Sequence, residues 1–322
     1  MNMHLLRVAA AMATAICTVG ASAQTSIGLG GYTVTGNYTL DALAGRGLEA
    51  SAVTYARDRG TLFFVGDEGL GVVEISLTGV TLGSMGFSWP AASTNNDAEG
   101  LAYLGNGLLV VAEERLQDAY LFSYAAGGSV NLALAPSVNL GPTVGNVGIE
   151  GIAIDPRDGM LFAVKQDNPA QLRGGLASFS VGGGSFAESI SFSGTSSLFG
   201  LNSLSDIATL GGVDALAGSA AANNLLVLSL DSRRLIEIDR LGNTLSSLDL
   251  TSLTAQAIEG VTIGNNGTIY LVAEDSGTAN SRLFVLSAVP EPGTYALMLA
   301  GLVAVSAAAR RRLASAGDRA RA

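Results

Sequence analysis

Glu99-Gly100-Leu101-Ala102-Tyr103, Glu150-Gly151-Ile152-Ala153-Ile154 and Glu259-Gly260-Val261-Thr262-Ile263 are three copies of one short phrase. Two looser copies, Ser51-Ala52-Val53-Thr54-Tyr55 and Asp206-Ile207-Ala208-Thr209-Leu210, complete a series whose starts lie 48, 51, 56 and 53 residues apart. Each copy is a short apolar run. In four of the five a breaker turn follows, such as Asp58-Arg59-Gly60 or Gly105-Asn106-Gly107, and then a second apolar run at 61–65, 108–112, 160–164 or 268–273. A third run lies at 71–77, 119–124, 176–181, 234–239 and 282–286, and a fourth shows at 80–83 and 244–250. Short runs separated by turn residues read as strands. No stretch keeps an apolar period of about 3.6 residues, the mark of an amphipathic helix. Four short strands repeating about every 50 residues predict an all-β chain folded as a β-propeller.

The blade count follows from closure. The unit beginning at Glu259 has room for three strands only, while the N-terminal run 31–43 has no partner in its own unit. Asn37-Tyr38-Thr39-Leu40 resembles the outer run Asn243-Thr244-Leu245. The N-terminal strand is therefore expected to complete the last blade, giving five blades and hiding two sheet edges. A six-bladed ring is the alternative, with a degenerate unit in the Gly- and Ser-rich stretch 178–205.

Residues 1–23 read as a signal peptide. Arg7 charges the n-region, 8–19 form an apolar helix, and Ala21-Ser22-Ala23 suits signal peptidase. The only His is His4 and the only Cys is Cys17, so the mature chain has neither. Ser-His-Asp and Cys-His catalysis, His-ligated zinc, iron–sulfur clusters and disulfides are excluded. At the other end, Val289-Pro290-Glu291-Pro292-Gly293 precedes an apolar run over 294–309 and then Arg310, Arg311 and Arg312. A proline break, a short apolar helix and a basic cluster read as a C-terminal transmembrane anchor with its arginines inside. This ending resembles the PEP-CTERM sorting signal of Gram-negative bacteria. The resemblance implies an exosortase-type processing enzyme as partner, cleavage near the motif, and passage from a membrane-anchored form to the cell surface or beyond. The expected organisation is signal peptide 1–23, propeller 24–288, sorting signal 289–313 and a basic tail 314–322.

Of 17 basic and 27 acidic residues, 11 and 25 fall in the propeller, which is thus near −14, with Lys165 its only lysine. Such acidity argues against a nucleic-acid partner and suits solubility outside the cytoplasm. It also leaves oxygen-ligand chemistry. Glu99, Glu150, Asp206 and Glu259 each begin the first strand of a unit, and first strands line a propeller's channel. Four acids converging at one mouth would repel one another unless some stay protonated or share a cation. Calcium, which takes six to eight oxygens at about 2.3–2.6 Å, is the expected metal. The competing expectation is that each acid caps its own blade by accepting backbone N–H groups. Asp97 and Glu49 are placed to reach the same mouth. A second layer ends the second strands: Asp67, Glu68, Glu113, Glu114, Lys165, Gln166, Asp167, Glu274 and Asp275. Glu113 with Glu274 is a candidate acid–base pair. Arg115 and Lys165 read as ion partners for these acids. Trp89 and Phe87 could stack on a sugar or pack between blades.

Asn96-Asp97-Ala98-Glu99-Gly100-Leu101-Ala102-Tyr103, Val111-Ala112-Glu113-Glu114-Arg115, Ile149-Glu150-Gly151-Ile152-Ala153-Ile154-Asp155-Pro156 and Ile258-Glu259-Gly260-Val261 together resemble the SdiA-regulated family of bacterial extracytoplasmic proteins, over about 38–286. The resemblance implies a five-bladed propeller with bound calcium. Ser51, standing where the acid would be, departs from the pattern. Two functions are consistent with these readings: an exported, surface-sorted calcium propeller that binds or scaffolds extracellular polysaccharide, matrix or envelope components, and a calcium-dependent esterase or phosphoesterase. The lack of His and the single lysine disfavour the second.

Overall fold

The structure is a computed structural model that describes residues 24–289 together with 301, 302 and 306. The signal helix expected over 1–23 lies outside the described residues, as does the tail 314–322. So does the apolar run 294–309, except for residues 301, 302 and 306, which are helical. Among the described residues no helix is long and apolar enough to cross a membrane.

Strand β1 (Tyr32–Thr39) opens the chain. Blade 1 is β2 (Ala50–Ala56), β3 (Thr61–Gly66), β4 (Gly71–Ile75) and β5 (Thr81–Ser88). Blade 2 begins with β6 (Ala98–Gly105), β7 (Leu108–Glu113) and β8 (Asp118–Ser123). Two short strands follow: β9 (Ser129–Asn131) crosses back to pair in parallel with β5, and β10 (Ser137–Asn139) closes blade 2 on β8. Blade 3 is β11 (Ile149–Ile154), β12 (Met160–Lys165), β13 (Ala170–Ser178) and β14 (Ser185–Gly194). Blade 4 is β15 (Asp206–Thr209), β16 (Leu225–Ser229), β17 (Arg234–Ile238) and β18 (Thr244–Asp249). Blade 5 is β19 (Ile258–Ile263), β20 (Ile269–Ala273) and β21 (Arg282–Ala288), with β1 as its outer strand.

There are five blades. β2 packs on β6, β6 on β11, β11 on β15, β15 on β19 and β19 on β2, so the first strands ring a channel. The stretch 178–205 holds no sixth unit; it supplies β14, the fourth strand of blade 3. Closure is the expected one: Tyr32 pairs with Ala288 and Thr39 with Arg282. Two strand expectations shift. The third strand of blade 3 is 170–178 rather than 176–181. Blade 4 does have a second strand, hidden in sequence because three 3-10 turns between Leu210 and Asn223 separate it from the first.

Alternation within each strand builds the core. In β3, Phe63 and Val65 face blade 2, while Leu62 and Phe64 face blade 5. Both faces of a blade are buried, so its middle strands read as unbroken apolar runs rather than as polar–apolar alternation. Five apolar clusters result, one in each blade interface. Each large side chain fully buried there contributes roughly 1.5–3 kcal/mol.

Candidate carboxylate mouth

Four of the five first strands carry a β-bulge at the same step. The pairing skips Ser51 in β2, Glu99 in β6, Glu150 in β11 and Glu259 in β19. A bulge leaves one residue outside the ladder and re-aims its side chain. The glycine after each glutamate is then required by space. A Cβ on Gly260 would fall 2.6 Å from Val272 Cγ2, and one on Gly100 would fall 3.0 Å from both Ala112 Cβ and Ile152 Cγ1. The Glu-Gly phrase is thus a bulge that turns a carboxylate out of the ladder, followed by a position pressed against neighbouring side chains.

The three glutamates meet at one mouth of the channel. Burial pushes Glu99 far above the usual carboxylate range, and the negative charges of Glu150, Glu259 and Asp67 push it further. Glu150 is raised by burial and then by the neighbouring Glu114 carboxyl, and by Glu259 and Asp67. Glu259 is pushed up to about 8 by burial, Glu274, Asp67 and Glu49, with the nearby Ser51 hydroxyl opposing the rise. Ser51, standing where the acid would be, donates its hydroxyl to Glu49 O at 2.9 Å. Lys165 lies beside this ring. Its ammonium donates to the carbonyls of Asp167 and Pro169, burial lowers its pKa, and Asp167, Glu114 and Glu150 oppose that.

Asp206 is placed apart. β15 has no bulge, and Asp206 pairs in register with Leu228 and lies against Gly151. Its Oδ1 accepts the N–H of Ile207 at 2.8 Å and its Oδ2 that of Val261 in blade 5 at 2.7 Å. Burial raises it, those two N–H groups oppose the rise, and no other carboxylate acts on it. It is the capping arrangement, realised in one blade of the four.

The second layer divides as well. Glu113 accepts from Ser93 Oγ and Leu116 N–H, both at 2.5 Å, and so closes a turn; Glu274 bonds Ser276, and the two acids are not partners. Asp97 pairs with Arg115, which also holds Asn146. Glu49 is raised by burial and by Glu68, Asp67, Asp275 and Glu274, so it edges the same mouth. Trp89 donates to Gly69 O at 2.7 Å and packs edge-on to Phe87 and Tyr120. It is an interblade packing residue. Among the described residues no three carboxylates are grouped so as to hold a metal ion as they stand. The donor set nevertheless fits a hard cation: oxygen only, several negative charges, and mutual repulsion that a cation would relieve.

A family model described as SdiA-regulated matches residues 26–277, and one described as the PEP-CTERM protein-sorting motif matches 288–312. Among solved structures the chain is similar to Myxococcus xanthus glutaminyl cyclase, with 14% identity, a TM-score of 0.52, and coverage of 80% of this chain and 95% of that one. It is also similar to a luciferin-regenerating enzyme (11%, TM-score 0.46, 78% and 94%) and to virginiamycin B lyase from Staphylococcus aureus (11%, TM-score 0.40, 74% and 66%). At 14% identity the likeness to the cyclase is one of fold alone. The sorting motif behind the propeller marks an exported protein addressed to the cell surface.

Proposed function

The chain belongs to the SdiA-regulated family, and from that premise we propose that it is a surface-sorted propeller whose carboxylate mouth binds calcium and, through it, extracellular polysaccharide or matrix components. The observation that carries the reading is the trio of bulged glutamates at one mouth, Glu99 buried and Glu150 and Glu259 half-buried, each raised by surrounding carboxylates. Glu99, Glu150 and Glu259 would hold the ion, with Asp67 and Glu114 beside them. Asp206 stays outside the set because both its oxygens are engaged. Calcium would neutralise the ring and offer coordination positions to the hydroxyl and carboxylate oxygens of a glycan.

Thermal unfolding tests the metal. A ligand that binds only the folded state adds RT ln(1 + [L]/Kd), about 2.7 kcal/mol at a hundredfold excess over Kd. Calcium is expected to raise Tm relative to chelator. Glu150→Gln and Glu259→Gln are expected to stay folded and lose most of that response, since the amide keeps shape without charge. Equal melting of the wild-type protein in calcium and in chelator would refute the site.

The Glu114–Glu150 pair favours a second reading, hydrolysis of esters or phosphoesters, because it sets a proton donor beside a proton acceptor. Turnover of chromogenic esters or phosphodiesters that calcium supports and Glu114→Gln abolishes would establish it; no turnover leaves the binding role alone.

A further inference from the structure

The five first strands run from the carboxylate mouth to the opposite one, where they enclose a cavity of about 440 Å³. Small-molecule sites span roughly 300–1,000 Å³. We propose that this cavity binds an uncharged small molecule with a hydrocarbon body and one hydrogen-bond-accepting oxygen. The site is separate from the carboxylate mouth and independent of any metal there.

Three observations carry this. First, the ring is kept open at one level. Thr54, Ala102, Ala153, Ala208 and Thr262 occupy the same step of the five first strands. Every one is small and every one lines the cavity. Next along the strands stand Ile154 and Ile263, so the walls are aliphatic. Such a space excludes charge and fits a hydrocarbon.

Second, the polar groups of the rim are already engaged. Tyr55 donates its hydroxyl to Asn265 Oδ1 at 2.9 Å, and Asn265 Nδ2 donates to Asp214 Oδ2 at 2.9 Å. Arg57 pairs with Asp214 and donates to Gly212 O at 2.9 Å. Tyr103 Oη accepts the Gly107 N–H and Asp58 accepts the Asn106 N–H, each at 2.8 Å. An anionic ligand would find Arg57, the cation of this mouth, already paired with Asp214. The net charge of −10 adds long-range repulsion of anions.

Third, two donors remain. Thr54 Oγ1 accepts the Tyr103 N–H at 3.2 Å and Thr262 Oγ1 accepts the Tyr55 N–H at 3.1 Å. Each threonine is about nine-tenths buried, and among the described residues its hydroxyl donates to no acceptor. Threonine hydroxyls donate as well as accept. These two protons fix the acceptor oxygen of the ligand.

The test is fluorescence titration of the full exported chain with Prodan, a neutral naphthyl ketone, beside the anionic dye ANS. Prodan is expected to bind one-to-one with blue-shifted emission, with an affinity about tenfold or more above that of ANS. Chelator and Glu150→Gln are expected to leave that binding unchanged. Thr209→Trp, at a half-exposed wall position, and Ala153→Leu fill the cavity and are expected to weaken Prodan at least about tenfold while melting near the wild-type temperature. Thr54→Val and Thr262→Val should weaken it severalfold. If Ala153→Leu fails to fold, Thr209→Trp decides. The proposal is overturned if the folded wild type shows no saturable Prodan binding, or if folded Thr209→Trp binds it as well as wild type does.

Discussion

Glu259 and Asp206 open the first strands of neighbouring blades, yet one bulge gives their carboxyls different surroundings. Asp206 holds blade 4 to blade 5 through the Val261 N–H. Asp206→Ala would leave that buried donor unpaired, and a loss of about 1–3 kcal/mol in chemical denaturation is expected. The calcium response should survive it; loss of that response would put Asp206 back among the ligands. Glu259 titrates instead. Its ordinary value is 4.5 and its folded value about 8. As pH rises the unfolded chain releases its proton first, while the folded state keeps it until about 8. Stability present below pH 4.5 is therefore lost progressively up to about 8. Glu99 and Glu150 act in the same direction. In chelator, Tm should be lower at pH 8 than at pH 5, and Glu259→Gln should flatten the slope. A Tm that climbs over this interval would contradict the charge ring. That acids gather at one mouth was legible from their repeat position. That one of the four turns away was not, because the difference lies in pairing register, to which composition is blind.

At the scale of elements, the ring is a closed row of blades, joined where β1 pairs with β21. Residues 24–31 cross blade 4 before reaching blade 5. Buried Glu237 of β17 accepts the Ile27 N–H at 3.0 Å and the Ser26 hydroxyl at 2.5 Å, and Ser246 of β18 accepts the Leu29 N–H at 3.0 Å. Tyr32 to Thr39 then pair along β21. Deleting 26–43 would free the edge of β21 and leave Glu237 buried without those donors. The truncated protein is expected to melt at least about 10 °C lower, or to aggregate. Melting at the wild-type temperature would mean that the closure contributes little. The orphan N-terminal run and the short last unit made this joint readable from sequence. Strand β16 was not readable, since the 3-10 turns over Leu210–Asn223 break the unit where the other blades have a tight hairpin. β9 and β10 are three residues each, too short to leave a pattern.

Across the whole molecule the two mouths differ in chemistry, and the topology ties one of them to the sorting signal. β19 runs from Glu259 at the carboxylate mouth to Ile263 at the apolar one, β20 returns, and β21 runs out again. Ala288 therefore ends on the apolar side, where Tyr32, its partner, donates to Gly267 O in the β19–β20 turn at 3.0 Å. The sorting motif begins there, at residue 288. The few residues between 289 and the apolar run from 294 reach at most about 3.5 Å each. A short tether of this length predicts that, wherever the sorting signal anchors the chain, the apolar mouth lies nearer the bilayer than the carboxylate mouth. Asn266, in the β19–β20 turn, and Ser276, in the β20–β21 loop, are both exposed and sit at opposite ends of β20. About 17 Å of strand separates those ends at ~3.4 Å per residue. Single-cysteine variants Asn266→Cys and Ser276→Cys, in a Cys17→Ser background, can each carry one fluorophore. In vesicles containing the full chain and nitroxide lipids, the label at 266 is expected to be quenched at least about twofold more than the label at 276, since quenching falls steeply over a separation of that size. Equal quenching, or the reverse order, would show that the propeller tumbles freely on its tether or stands the other way up.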